Sequence, residues 1–211
     1  MHTTLFLVRA GDTEWEAAGR LLGRHDVILS QAGRAQADET ARVLAQVAVA
    51  EVLSSPMLRA VETAERIARP HRLEVARDGR LAALHAGRWE GRPLDELASD
   101  PAWTAFARGE GAAPGGESLA DVQQRAVGSI EQVVDDNQLG ANLVVVAHRL
   151  VLQTLLAHYL RMPLAEHARL ELRPASVAAL RFEPDRAPPR LMALGCASVV
   201  RAARAVDEPA A

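Results

Sequence analysis

Lysine is missing altogether from this chain of 211 residues: its 24 basic side chains are all arginine, and 27 acidic ones outnumber them, for a formal charge of −3 at pH 7. A protein that coats duplex nucleic acid leans the other way, so nucleic acid is excluded as the expected partner. The single cysteine, Cys196, excludes an intrachain disulfide framework and any cysteine-based zinc cluster. Lying in the apolar run from Leu191 to Val200, it reads as a buried strand thiol. Aromatic residues are only 3% of the chain and roughly a fifth of it is alanine, which points to an aliphatic core of Leu, Val and Ala. No stretch approaches the ~20 apolar residues of a membrane span. The run Leu5 to Val8 is too short for the hydrophobic region of a signal peptide. No membrane association is therefore expected, and the cytoplasm is the expected location. The chain also lacks internal repeats, a Walker loop and a GxGxxG string.

With 49% hydrophobic and 24% charged residues, the chain reads as one globular domain over residues 1–200, followed by a frayed tail at 201–211. Thr3 to Val8 predicts a buried strand, ended abruptly by the polar loop Arg9-Ala10-Gly11-Asp12-Thr13. In α/β sheets that edge is where ligands sit. Ser30 is a candidate N-cap for a helix faced by Ala32, Ala35, Ala37, Val43, Leu44 and Val47, and a strand from Glu51 to Leu53 follows. Ser54-Ser55-Pro56 is read as opening a second helix with Pro56 in its first turn.

The segment Leu81 to Gly116 is richer in Gly, Pro and Trp, with short helical pieces at Pro93 to Ala98 and Pro101 to Arg108. It reads as an insertion over the sheet edge, of the kind that forms lids. Ser118 and Asp121 form a capping-box pair ahead of a long amphipathic helix carrying Leu119, Val122, Ala126, Ile130, Val133 and Val134. Leu143 to Ala147 is the clearest strand, ending at His148 ahead of a helix through Leu160. Ser176 to Phe182 and Arg190 to Ala197 predict a closing pair of strands, joined by a loop carrying Pro184, Pro188 and Pro189. The strand and helix alternation is that of an α/β protein.

Three separate segments thus place Arg9, Arg59 and His148 after predicted strands. Guanidinium groups offer forked donors that match phosphate oxygens, and an imidazole adds another, so their convergence would make a phosphate pocket. Spacing alone also admits solvated surface arginines and a structural histidine.

The local strings narrow this. Leu7-Val8-Arg9-Ala10-Gly11-Asp12-Thr13 resembles the Arg-His-Gly-x-Thr signature of the histidine phosphatase superfamily, which includes the cofactor-dependent phosphoglycerate mutases. Leu29 to Ala37 looks like that family's first long helix, and Ser54-Ser55-Pro56-Met57-Leu58-Arg59-Ala60 like its Ser-Ser-Pro-x-x-Arg-Ala segment. Gly87-Arg88-Trp89-Glu90-Gly91, Gly115-Gly116-Glu117-Ser118 and Val144-Val145-Val146-Ala147-His148 match in order, so the resemblance runs from about residue 4 to 160. It implies a three-layer sandwich with a mixed, mostly parallel sheet between helices. It also implies phosphomonoester chemistry through a phosphohistidine, in a pocket containing Arg9, Arg59 and His148, with no metal and no cofactor.

Two departures bear directly on that chemistry. The family's nucleophile falls on Ala10, which has no lone pair to offer phosphorus. Its general acid, a Glu four residues before the first Gly of the Gly-x-Trp-Glu-Gly string, falls on Ala83. Glu90 belongs to the matched string itself and reads as structural. His85 shares a direction with position 83 in extended chain and is a candidate pocket residue or surrogate acid. Glu16 stands where many relatives carry an Asn near the phosphate, and an anion there would repel one. Arg149 replaces the usual Gly after the second His, and Thr13 completes the group of possible pocket contacts.

The expected function is binding of phosphate or a phosphorylated small molecule with turnover lost or severely impaired. The pattern fits a natural pseudoenzyme or an engineered inactive variant. Two alternatives stand beside it: an active phosphatase or mutase using His148 or His85 as surrogate, and an interaction module with a vestigial pocket. Neither the substrate nor the oligomeric state is legible in the spacing.

Overall fold

The computed structural model describes residues 2–137, 140–183 and 187–195. Cys196 and the tail at 201–211 lie outside the described residues. The order is β1 (Thr3–Arg9), α1 (Glu14–Ala17), α2 (Gln31–Leu44), β2 (Glu51–Ser54), α3 (Leu58–His71), β3 (Val75–Arg77), α4 (Leu94–Ala98), α5 (Pro101–Ala107), α6 (Leu119–Asp136), β4 (Asn142–Ala147), α7 (Arg149–Tyr159), β5 (Val177–Phe182) and β6 (Arg190–Ala193). The strands form one sheet in the order β3-β2-β4-β1-β5-β6. The pairs β3–β2, β2–β4 and β4–β1 are parallel, while β5 runs antiparallel to both of its neighbours. This is the mixed, mostly parallel sheet between helices that the family strings imply.

Strand periodicity divides the core in two. Leu5 and Leu7 of β1, with Val145 and Ala147 of β4, face the layer of α6 and α7, where Leu81, Leu84, Trp89 and Phe106 of the 81–116 segment also pack. Trp89 and Phe106 meet edge to face with ring centres 5.4 Å apart. Phe6, Val8, Val144 and Val146 alternate to the other face, against α2 and α3. No helix among the described residues is long and apolar enough to cross a membrane.

Register positions the site. Arg9 is paired with Ala147, and Ser54 with Val146, so β1, β2 and β4 end level with one another. The ladder continues one residue further, with Ala10 N donating to Ala147 O at 2.8 Å and Ser55 N to Val146 O at 2.9 Å. Ala10, Ser55 and His148 therefore leave the sheet side by side. The turn after β1 is pressed onto the first turn of α2. A Cβ at Gly33 would lie 2.1 Å from Asp12 O, and one at Gly11 would lie 2.6 Å from Gly33 O. Only glycine permits so close an approach of two backbones.

The caps at Ser30 and at Ser118 with Asp121 form as the sequence predicts; the Ser30 hydroxyl accepts from Gly33 N and the capping box is complete in both directions. The start of α3 differs. Pro56 stands two residues ahead of the helix, which begins at Leu58. Leu58 N donates to Asp26 Oδ1 at 2.7 Å, so a carboxylate from a distant loop satisfies this terminal donor, while the Ser55 hydroxyl accepts from Met57 N at 3.3 Å beside its contact with His148.

Candidate functional site

A cavity of about 310 Å³ opens at the C-terminal ends of β1 and β4. Arg9, Ala10, Glu16, Arg59, Ala83, His148 and Arg149 all line it, so seven of the nine candidate residues from four separate stretches of chain converge. Thr13 and His85 are not among the lining residues. Thr13 is fully buried and caps α1, its hydroxyl accepting from Glu16 N at 3.2 Å. His85 is exposed, while its backbone N–H donates to Glu117 Oε2 at 2.8 Å. Ala83 is buried at the cavity while His85 is exposed, so the two positions do not share a direction.

Ala10 is 4% exposed, its methyl packed with Phe6 and Val8 and its backbone held between Ala147 O and Ala175 N. Arg9 leaves the end of β1 almost wholly buried and donates to Leu172 O and to Glu16 Oε1. Arg59, in the first turn of α3, donates to Gly23 O at 2.9 Å and His25 O at 2.8 Å, which fixes its head group beneath the 23–25 loop. Burial pushes its pKa down to about 10, opposed by the charges of Glu16, Asp26 and Glu90, so it remains a cation at neutral pH. His148 ends β4 with its Nε2 atom 2.8 Å from Ser55 Oγ. Burial, then the charges of Arg59, Arg125 and Arg9, hold its imidazole well below the usual histidine range, so the ring is neutral. Arg149 is exposed as a whole residue, yet desolvation of its head group and then the charge of Arg9 lower its pKa.

Chemically, the cavity offers fixed donors for an oxyanion: two buried guanidiniums and one neutral imidazole. At Ala10, which also lines the cavity, there is only a methyl group. Among the described residues, no cluster of three His, Cys, Asp or Glu side chains could hold a metal ion.

A supporting network lies behind Ala83. Arg125 Nη1 donates to Arg80 O and Ala82 O, its Nη2 donates to Ala83 O at 3.2 Å, and Arg24 Nε reaches the same Ala83 carbonyl at 3.3 Å. Glu117 holds both arginines, with Arg125 Nε at 2.8 Å and Arg24 Nη2 at 3.3 Å. These pairings overcome the desolvation of the Glu117 carboxyl, whose pKa is lowered. Glu90 joins the loops on either side, accepting from Arg24 N and Ala86 N, which fits its structural reading. Sequence reasoning assigned no role to Ser55, Glu117, Arg125 or Arg24. The signal available was that Ser55 and Glu117 lie inside matched strings; nothing local marked the two arginines.

The chain was compared with known proteins. The family model for the histidine phosphatase superfamily (branch 1) matches residues 5–195. A probable phosphoglycerate mutase GpmB from Cronobacter sakazakii is 31% identical over 183 residues, 85% of each chain. A histidine-to-alanine mutant of phosphoserine phosphatase from Entamoeba histolytica, solved in complex with phosphoserine, superposes with a TM-score of 0.83 at 27% identity, covering 92% of this chain and 98% of the other. Mycobacterial glucosyl-3-phosphoglycerate phosphatase gives a TM-score of 0.82 at 28% identity, covering 93% of this chain and all of the other. With the ordered strings, the sheet order and the cavity in agreement, the chain belongs to the histidine phosphatase superfamily.

Proposed function

We propose that this protein binds phosphate or a phosphorylated small molecule through Arg9, Arg59 and His148 and hydrolyses it poorly or not at all. One observation carries the reading: these three donors share a single cavity with Ala10 and Ala83, the two positions at which the family strings call for nucleophile and acid. Loss of a covalent nucleophile leaves roughly 10³ to 10⁴ over water in the best-studied hydrolase, and a positioned acid is worth about 10² to 10⁴ more. Against an uncatalysed reaction that needs up to ~10²¹-fold acceleration, what remains is below ordinary detection. The phosphoserine phosphatase mutant, in which a histidine is replaced by alanine, was solved with phosphoserine bound, which supports the binding half of this reading.

The test pairs two measurements. Inorganic phosphate, vanadate or 3-phosphoglycerate raises the melting temperature in a saturable way, and p-nitrophenyl phosphate is not hydrolysed above the buffer blank. Hydrolysis well above blank that disappears in Arg59→Ala overturns the inactive reading. Absence of stabilisation by every anion overturns the binding reading and favours an interaction module.

A further inference from the structure

Glu16 and Asp12 are the acidic residues among those lining the cavity, and of the two Glu16 is the one paired with Arg9. Its carboxylate accepts from the Arg9 guanidinium, and Glu16, Arg9, Arg59 and Arg149 all line the same cavity. Among charges acting on Arg59 it is the foremost in stabilising the cation, and it acts on Arg149 in the same sense, so one carboxylate serves three arginines. Its backbone is fixed by the Thr13 hydroxyl at the start of α1. The second Arg9 terminal nitrogen is engaged by Leu172 O, so the head group already has an acceptor on each terminal nitrogen before any ligand arrives.

We propose that Glu16 is an affinity-setting residue of this site: its carboxylate is an internal anion on Arg9 that an incoming phosphate must displace. The proposal rests on the phosphate-binding reading above. Free, the carboxylate compensates a cluster of buried cations that would otherwise repel one another. Bound, a phosphate dianion takes over that pairing, and Glu16 is left as a like charge beside it unless it swings to solvent. Its side chain is 29% exposed, which leaves room for that movement. The neutral isostere Glu16→Gln retains the size and a hydrogen-bond acceptor but removes the repulsion, so phosphate binds tighter by about tenfold or more at neutral pH and low ionic strength.

Calorimetric titration with inorganic phosphate tests this on the intact chain, in wild type, Glu16→Gln and the shorter Glu16→Asn, with melting temperature confirming that each is folded. In a second measurement on the wild type, the Glu16 side-chain carboxyl ¹³C resonance is followed during the same titration. Tighter binding by a folded neutral variant, together with a saturable shift of that resonance, supports the proposal. Equal or weaker binding by the folded variants, or a carboxyl resonance that does not move while phosphate binds, overturns it and leaves the binding reading standing. If neither wild type nor variants bind phosphate, both readings fall. If both variants are unfolded, the wild-type resonance decides.

Discussion

The hydroxyl of Ser55 and the Nε2 atom of His148 meet at 2.8 Å across the level ends of β2 and β4. Both side chains are buried, Ser55 completely. Ser55→Ala leaves a ring nitrogen without that partner, at a cost of about 1–3 kcal/mol. The melting temperature falls by about 2–4 °C for each of these, which calorimetry measures directly. Phosphate affinity falls with it, since the ring is no longer oriented.

Acid sensitivity follows from the neutral histidines. His148, His71 and His167 all have pKa values lowered below 6.5, chiefly by burial. In the unfolded chain they protonate near pH 6.5, while in the folded chain they stay neutral to lower pH. The unfolded state thus binds more protons below pH 6.5, and stability declines as pH falls through that value while remaining level with respect to these groups above it. Melting curves from pH 7.5 to 5 show this slope, and it is shallower in His148→Gln. A separate decline begins below about pH 4.5, where Glu117 and Asp78 lose the charge their arginine partners favour.

Introducing a histidine and a carboxylate together tests the inactive reading. Ala10→His with Ala83→Glu gives measurable hydrolysis of p-nitrophenyl phosphate and an acid-labile phosphoenzyme. Ala83→Glu alone gives neither. Ala10→His alone falls short of the pair by about 10² to 10⁴ in rate, the worth of a positioned acid.

Glu117→Gln loosens the limb that carries Ala83. Removing the charge weakens its hold on Arg125 and Arg24, so the carbonyls of Ala82 and Ala83 lose firmly placed donors. Amide hydrogen exchange at residues 82–86 accelerates, and overall stability drops by about 1–3 kcal/mol.

The legible parts of the molecule were those written in consecutive residues. The apolar runs ending at Arg9 and at Ala147, the Ser30 cap and the Ser118 capping box each declare themselves within a few positions, and the structure forms all four. Strand β3 escaped notice because three residues, two of them exposed, contain no periodicity to read. The carboxylate that meets the first N–H of α3 comes from Asp26, 32 positions away. Extended-chain alternation aligns His85 with position 83, but between the two short 3₁₀ turns, Gly79–Leu81 and Gly87–Trp89, Ala83 is buried and His85 exposed. The hold of Arg125 on Ala83 joins residues 42 apart, and Glu16 shows its partner only when α1 folds back over Arg9. Family strings supplied the convergence of Arg9, Arg59 and His148; the partners that hold each of them, Glu16, Gly23 and His25, and Ser55, are tertiary.

The contact of Gly11 with Gly33 gives the second helix a hand on the cavity. Any methyl added at position 33 must shove the Asp12 peptide aside, and Asp12 itself lines the cavity with Arg9 and Ala10. The shape of the cavity is thereby hostage to a glycine that does not line it, and damage at this hidden joint would masquerade as damage to the pocket itself.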